Sequence, residues 1–307
     1  MELDPRRLLI FRRVAREGSI TGAARALGWT QPAVSQHLAH LERDAGTRLL
    51  LRGPGGVRLT QAGSTLLARA DAVAGELHAA REELASLTTL GTGRVRLRAF
   101  PSAAATLVSD AVAALGERHP AVEVALVAAE PPEATAAVRA GDADLAVVFG
   151  YDGPPPALGQ LRWHELDREP VHLVVHPEHP SAGARRGDLA RLADERWIAG
   201  CVRCREHLVD CCTAAGFAPL ITHETDDYVV VQNLVARGLG VTALPASALT
   251  AYRHPGVVLV DAPALGSRHV GLVHRPGAET VPATAALIRE LGRVSRRTPR
   301  SRGAVAP

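Results

Sequence analysis

Residues 18–38 read GSITGAARALGWTQPAVSQHL, and the fold of the first part of the chain turns on this stretch. Gly18 ends a preceding amphipathic helix in which Leu8, Phe11, Val14 and Ala15 recur at helical spacing. Ser19 is a good N-cap for a short second helix, Ile20–Leu27, and the small side chains of Ala23 and Ala24 permit a close helix crossing. Gly28 supplies its stop. A third helix starts around Thr30-Gln31-Pro32, where a proline is tolerated because its missing N–H would have no partner in a first turn. Val34, Leu38 and Leu41 form its inner face, while Ala33, Gln36, His37 and His40 fall on the opposite face at i, i+3, i+4, i+7. That outer face begins short, polar and uncharged, as a helix that reads base edges in a major groove requires. A plain three-helix bundle with a solvated face is the alternative.

The next twelve residues favour the base-reading helix. Leu49-Leu50-Leu51-Arg52 and Val57-Arg58-Leu59-Thr60 flank Gly53-Pro54-Gly55-Gly56, a hairpin with turn chemistry. Such a wing sets Arg52 and Arg58 beside a phosphate backbone. Every basic residue of the chain is arginine, and residues 1–58 hold ten of them against five carboxylates. With a net charge of only +3 overall, the rest is mildly acidic, so the phosphate-binding character sits at one end.

From Thr60 to about Thr89 the chain reads as one long helix. Leu66, Ala70, Val73, Leu77, Ala80, Leu84 and Leu87 are spaced alternately by four and three, a heptad seam. A single amphipathic helix packed on its own domain is the alternative. A two-fold dimer through this seam places two reading helices on symmetric half-sites, hence a palindromic operator. Beyond Gly91-Thr92-Gly93 the period changes. Strands at 95–99, 122–127 and 145–149 alternate with helices at 102–118 and 132–140, the order of a parallel sheet with crossover helices. A second unit comes after it, with strands at 171–175, 197–198, 221–225 and 241–244 and helices at 204–215 and 228–237. A strand at 269–273 and a helix at 282–294 close it. Two α/β lobes joined by crossings near residues 160 and 265 describe a hinged binding domain.

The N-terminal stretch resembles the LysR-type transcriptional regulators. The resemblance rests on Phe11, Ser19, Ala23-Ala24, Leu27, Gln31-Pro32-Ala33-Val34-Ser35, Leu41-Glu42, Gly46, Leu49, Arg52 and Leu59-Thr60-Gln61-Ala62-Gly63. In the second lobe it rests on Gly216-Phe217-Ala218-Pro219, on residues 234–241 and on Leu244-Pro245, so it covers about residues 3–295. Two departures stand out: Leu49-Leu50 replaces the usual Leu-Phe before the wing, and Gly55 replaces an arginine common at its tip. The resemblance implies that Gln31, Pro32, Ser35, Gln36 and the wing arginine approach DNA. It also implies a dimerising linker helix, often within a tetramer, and an effector domain akin to periplasmic solute-binding proteins. The expected organisation is an all-α winged helix-turn-helix at 1–59, a linker helix at 60–90, and a two-lobed α/β effector domain at 91–295. Lobe I takes about 91–160 and 266–295, lobe II about 161–265, and a disordered basic tail 296–307.

In open α/β sheets ligands bind at the carboxyl ends of strands, against helix N-termini. Ser102 and Ala103 follow the first strand as a candidate anion cradle, and Gly200-Cys201-Val202-Arg203 occupies the equivalent turn in the second lobe. Residues 128–130, Ala129 at their centre, together with Phe149 and Asp226 end other strands facing the same cleft. Arg203 can pair bidentately with a carboxylate, or with Asp226 or Asp227 as a structural bridge; Asp227 is better placed to cap the next helix. The four cysteines, Cys201, Cys204, Cys211 and Cys212, lie within twelve residues, with His207 among them. A thiol-redox gate, or a metal held by Cys201, Cys204, His207 and Cys211, is therefore the alternative to a small-molecule effector. No P-loop, G-x-S-x-G elbow or H-E-x-x-H helix marks an enzyme. No cofactor is expected. The expected partners are double-stranded DNA, a small-molecule effector and a second copy of the chain, with RNA polymerase a further candidate. With no apolar run long enough for a bilayer and no signal-peptide pattern, the expected place is the cytoplasm.

Overall fold

The computed structural model describes residues 3–53, 56–88, 93–156 and 158–297. The chain divides into two compact units at about residue 88. In the first, α1 (Pro5–Glu17) is capped by Asp4, whose carboxylate accepts from the backbone N–H groups of Arg6 and Arg7. Ser19 caps α2 (Ile20–Leu27) by accepting from Gly22 N at 3.0 Å, and Thr30 caps α3 (Gln31–Ala45). Phe11, Val14, Ala23, Val34, Leu38 and Leu41 interlock as the core of this head.

The wing is built from β1 (Leu50–Gly53) paired antiparallel with β2 (Gly56–Leu59). It docks on the turn between α1 and α2, where Val57 N–H donates to Gly18 O at 2.8 Å. Gly56 has φ +105°, and a Cβ there would stand 2.4 Å from the same carbonyl, so both conformation and space demand glycine. Glu42 ties the recognition helix to the wing root, its carboxylate accepting from Leu49 N (2.8 Å) and Leu50 N (3.1 Å). The tip residues 54 and 55, including the departure at Gly55, lie outside the described residues.

The long helix α4 (Gln61–Thr88) divides its seam in two. Leu66 packs against the head's core and Ala70 is fully buried, whereas Leu77 is 44% and Leu84 64% exposed. Arg12 and Arg16 of α1 both pair with Asp71, at 2.7 and 3.1 Å, fixing the start of α4 to the head. The side chain of Leu87 and the junction at 89–92 lie outside the described residues.

The second unit runs β3 (Gly93–Ala99), α5 (Pro101–Ala103), a π-helical stretch (Ala104–Val108), α6 (Ser109–Arg118), β4 (Val122–Ala128), α7 (Pro131–Arg139), β5 (Leu145–Gly150) and β6 (Arg162–Val175). It continues with β7 (Arg196–Ala199), α8 (Val202–Ala214), β8 (Leu220–Glu224), α9 (Tyr228–Val235), β9 (Val241–Pro245), α10 (Ala246–Ala251), β10 (Val258–Asp261), β11 (Ser267–His274) and α11 (Pro282–Arg297). The strand order is β4-β3-β5-β11-β6-β9-β7-β8, with β10 added beside β6. The pairs β3–β4, β3–β5, β7–β8 and β7–β9 are parallel, as the βαβ reading requires. β6 and β11 run antiparallel to their neighbours, so the sheet is mixed rather than all parallel.

The first crossing lies about ten residues beyond its expected place near residue 160. Residues 162–170 pair with β11 in the lobe I sheet, and only residues 171–175 pair with β9 and β10. The charged run Arg162, His164, Glu165, Asp167, Arg168, Glu169 hides this half of the strand from a hydrophobicity pattern. Pro170, which has no N–H to donate, marks the change of sheet, and Val171 N–H donates instead to Gly266 O at 3.1 Å. At the other end α11 continues through Arg296 and Arg297, where arginines favour the negative helix terminus. The expected tail is thus helical for its first two residues, and 298–307 lie outside the described residues.

Candidate nucleic-acid interface and effector cleft

The sequence-predicted readers are spread over the part of α3 that the buried Val34, Leu38 and Leu41 leave uncovered. Gln31, Pro32 and Gln36 are exposed, and Ala33, Ser35 and His37 are partly so. Gln31 Nε2 donates to Ser35 Oγ at 3.3 Å, one turn away. His37 leans on Trp29, its ring centroid 5.2 Å off, and Arg6 lies 5.0 Å over the same indole. Among the described residues the buried Nδ1 of His37 has no partner, so this side chain serves as packing as much as surface. Arg52 and Arg58 are both exposed, but the register separates them. Leu51 pairs with Arg58 and Arg52 with Val57, so the two arginines project from opposite faces of the ribbon. Arg52 shares the face of Leu50 and Leu59, which pack on the core; Arg58 shares that of exposed Leu51.

Substitutions in the two parts have different expected signatures. Gln36→Ala is expected to relax discrimination between operator sequences by about 1–3 kcal/mol at one base pair. Arg52→Ala is expected to weaken all sequences alike and reduce the slope of log K against log salt by about 1. Titrations of selected and scrambled duplexes at several salt concentrations read both; equal loss on both duplexes for Gln36→Ala contradicts its place as a reader.

In the effector domain, the strand ends of both lobes meet at a cleft. Its inner chamber, about 50 Å³, is walled by Phe100, Phe149, Ser102, Cys201, Cys204 and Arg268. An outer vestibule of about 370 Å³ shares Glu130, Cys201 and Asp226 with it and adds Arg203. Arg268 organises the inner end. It is 2% exposed, pairs with the 4% exposed Glu169, and donates to Ser102 Oγ (2.8 Å) and Ser247 Oγ (2.9 Å). Its guanidinium lies 4.6 and 4.4 Å from the ring centroids of Phe100 and Phe149. Glu169 in turn accepts from Ser247 N at 2.6 Å, so the start of α10 is stitched to β6 and α5. Burial acts to lower the Arg268 pKa, but the charge and hydrogen bond of Glu169 together with Tyr151 and Cys204 outweigh it, so the net shift is upward and Arg268 stays charged.

The expected effector residues divide accordingly. Phe149, Cys201 and Asp226 line the cleft, Arg203 lines its outer part, and Ser102 lies in it with its hydroxyl engaged by Arg268. Ala103 instead borders a separate cavity of about 330 Å³ beside Thr106 and Thr250. Ala129 packs against the cluster of Ala146 and Val148 behind the sheet, and its neighbour Glu130 is the member of that strand end that lines both chambers. Among the described residues Arg203 makes no ion pair with Asp226 or Asp227; Asp227 caps α9 by accepting from Val229 N (2.8 Å) and Val230 N (3.2 Å). Two residues at the base of the cleft were absent from the expectation, Arg268 and Glu169. Arg268 carries a signal in the sequence, since Arg268, Val270 and Leu272 alternate inward, and an arginine on a buried strand face demands a partner.

The cysteines separate into two groups. Cys201 and Cys204 face the cleft with Sγ atoms 3.0 Å apart. The hydrogen bond from Cys201 pulls the Cys204 thiol down to about 7, helped by Arg268 and Tyr151 and opposed by burial. The same bond, with burial, drives Cys201 up. His207 turns away: it stacks on Tyr151 and bonds to Leu265 O at 2.8 Å, with Cys211 beside it at 3.4 Å. Cys201, Cys204, His207 and Cys211 are therefore not gathered round one point, and among the described residues no three His, Cys, Asp or Glu side chains form a metal cage.

The head and the cleft together define a DNA-binding protein with a ligand-sensing body. A model of the bacterial regulatory helix-turn-helix proteins of the lysR family matches residues 5–64, and one of the LysR substrate binding domain matches residues 89–296. The chain belongs to the LysR family of transcriptional regulators, which bind DNA and are not enzymes. It is 30% identical over 287 residues to the transcriptional dual regulator GltC of Bacillus subtilis, covering 92% of this chain and 94% of that one. It is 31% identical over 276 residues to a probable hydrogen peroxide-inducible genes activator of Mycobacterium avium, covering 87% and 86%. A full-length OxyR variant from Pseudomonas aeruginosa superimposes with a TM-score of 0.70 over 99% of both chains at 21% identity, which is a likeness of fold. Among the described residues no helix is long and apolar enough to cross a membrane.

Proposed function

We propose that this regulator binds a palindromic operator as a dimer, or a tetramer built from dimers, in the cytoplasm, and that a small molecule in the cleft sets its transcriptional output. The observation that carries the effector reading is the convergence of strand ends from both lobes on one cleft, with the Arg268–Glu169–Ser247–Ser102 network bridging them at its base. A ligand gripped by both lobes has different affinities for open and closed states, which is what a switch needs. Asp226 stands exposed where the two chambers join, so Asp226→Trp blocks the passage at little cost to folding. A reporter driven from a selected operator is expected to lose its response to the cell's metabolite state in this variant. Operator binding measured on the same variant separates a locked body from a lost head. An undiminished response contradicts a cleft-bound effector.

A second reading is favoured by one contact, the 3.0 Å between Cys201 and Cys204. Here the cleft admits a hydroperoxide. The Cys204 thiolate attacks the peroxide oxygen, giving a sulfenic acid and releasing water or an alcohol; Cys201 sulfur then attacks that sulfur, and a disulfide forms with loss of water. The two thiols lose two electrons and the peroxide gains them. The name of the Mycobacterium avium relative supports an oxidant as signal. Under peroxide the wild-type chain is expected to lose two hydrogens in mass, linking Cys201 to Cys204, and to shift its operator affinity, while Cys204→Ser does neither. Oxidation without any change in operator affinity contradicts the gate.

A further inference from the structure

Helix α1 carries Arg6, Arg7, Arg12, Arg13 and Arg16, and among the described residues all but the first are paired with carboxylates. Arg7 meets Asp4 and Asp44, Arg12 and Arg16 share Asp71, and Arg13 meets Glu17. Arg6 has no carboxylate within ion-pair reach among the described residues, and its guanidinium lies over the indole of Trp29 instead, 5.0 Å from the ring centroid. The nearby Asp4 carboxylate is committed to the backbone N–H groups of Arg6 and Arg7 and to the Arg7 side chain. Arg6 also stands in the first turn of its helix, where the positive end of the backbone dipole disfavours a cation and no acidic residue within that turn offsets it. An exposed arginine so placed keeps its full charge for a partner from outside the chain.

The indole fixes where that charge is. Trp29 immediately precedes Thr30, the N-cap of α3, and packs on the head's core. Its ring also touches His37 of α3, with centroids 5.2 Å apart. Arg6 is therefore held at the same end of α3 as the exposed Gln31 and Pro32. When a recognition helix meets the bases through its N-terminal residues, the sugar-phosphate wall of the groove runs beside that end. A planar guanidinium laid on a ring keeps its N–H edges for phosphate oxygens and loses little freedom in binding them.

We infer that Arg6 binds a DNA backbone phosphate beside the start of α3, and that Trp29 is the positioning residue that holds its guanidinium there. The contact carries no base information of its own; it sets the register at which Gln31, Pro32 and Gln36 meet the bases. Each head makes it separately, so it depends neither on the symmetry of the operator nor on the cleft.

The test uses the full-length protein with its selected operator and a scrambled duplex. Arg6→Gln is expected to weaken both duplexes by about tenfold for each bound head. It is also expected to make the slope of log K against log salt shallower by about 0.9 per head. Arg6→Lys keeps the charge and is expected to restore the slope while recovering only part of the affinity. Replacing single phosphates by neutral methylphosphonates is expected to reveal one position beside each head that weakens the wild type but not Arg6→Gln. Trp29→Leu is expected to weaken binding too, and the double variant to lose less than the product of the two single losses, because the indole acts through the guanidinium. An unchanged salt slope in Arg6→Gln, or a loss confined to the selected duplex, overturns the phosphate contact. Losses that multiply in the double variant overturn the role given to Trp29. Because Arg6 is exposed, Arg6→Gln leaves the head's core untouched and decides the phosphate contact even where Trp29→Leu fails to fold.

Discussion

Arg268→Ala is expected to destabilise the effector domain by about 3–5 kcal/mol, the usual cost of removing one partner from a buried ion pair. The variant leaves Glu169 buried without its cationic partner, with Ser247 as its remaining hydrogen-bond partner among the described residues, and opens a gap between the rings of Phe100 and Phe149. Ser102 and Ser247 each lose a charged donor. Denaturant unfolding followed by tryptophan emission measures the change, since Trp163 and Trp197 report on the two lobes. Arg268→Met combined with Glu169→Gln is expected to cost less than the sum of the single changes, because neither charge is then stranded. Single-variant losses below about 1 kcal/mol would show that water reaches the pair and that it is no keystone.

In the seam of α4, Leu77→Arg with Leu84→Arg is expected to turn a dimer into a monomer. Operator binding then weakens by at least about a hundredfold, since the second head binds without the benefit of linkage. Both leucines are exposed on the described chain, so the head is expected to keep its fold and its residual nonspecific affinity. Sedimentation and operator titration read the two consequences together. A variant that remains dimeric, with operator affinity intact, places the dimer contact elsewhere.

The head was legible because each of its signals is local. Ser19, Gly28, Thr30 and Pro32 act within one turn of where they stand, and the structure uses all of them as the spacing predicts. The wing's strands were equally plain, yet the opposite facing of Arg52 and Arg58 depends on register, which a hairpin with an indefinite turn does not fix. The heptad seam was visible as one feature and is two: Leu66 packs on the head's core, a contact that periodicity cannot distinguish from a contact with a partner. In the effector domain the strands rich in valine and leucine were found, whereas the charged half of β6 was not, because its stability comes from pairing with β11 rather than from its own apolar face. Glu130 and Arg203 lie about seventy residues apart, and only the folded lobes bring them to one cavity. The proximity of Cys201 and Cys204, by contrast, follows from three residues on a helix start.

Whether paired α3 helices of this chain read a symmetric operator is decided by in vitro selection of random duplexes with the full-length protein, followed by footprinting of the winning sequences. The expected result is a two-fold related pair of half-sites spaced by about one helical turn or a multiple of it, protected together and released as salt rises. Selection of no common sequence, or protection of a single asymmetric site by one protomer, would overturn the symmetric reader.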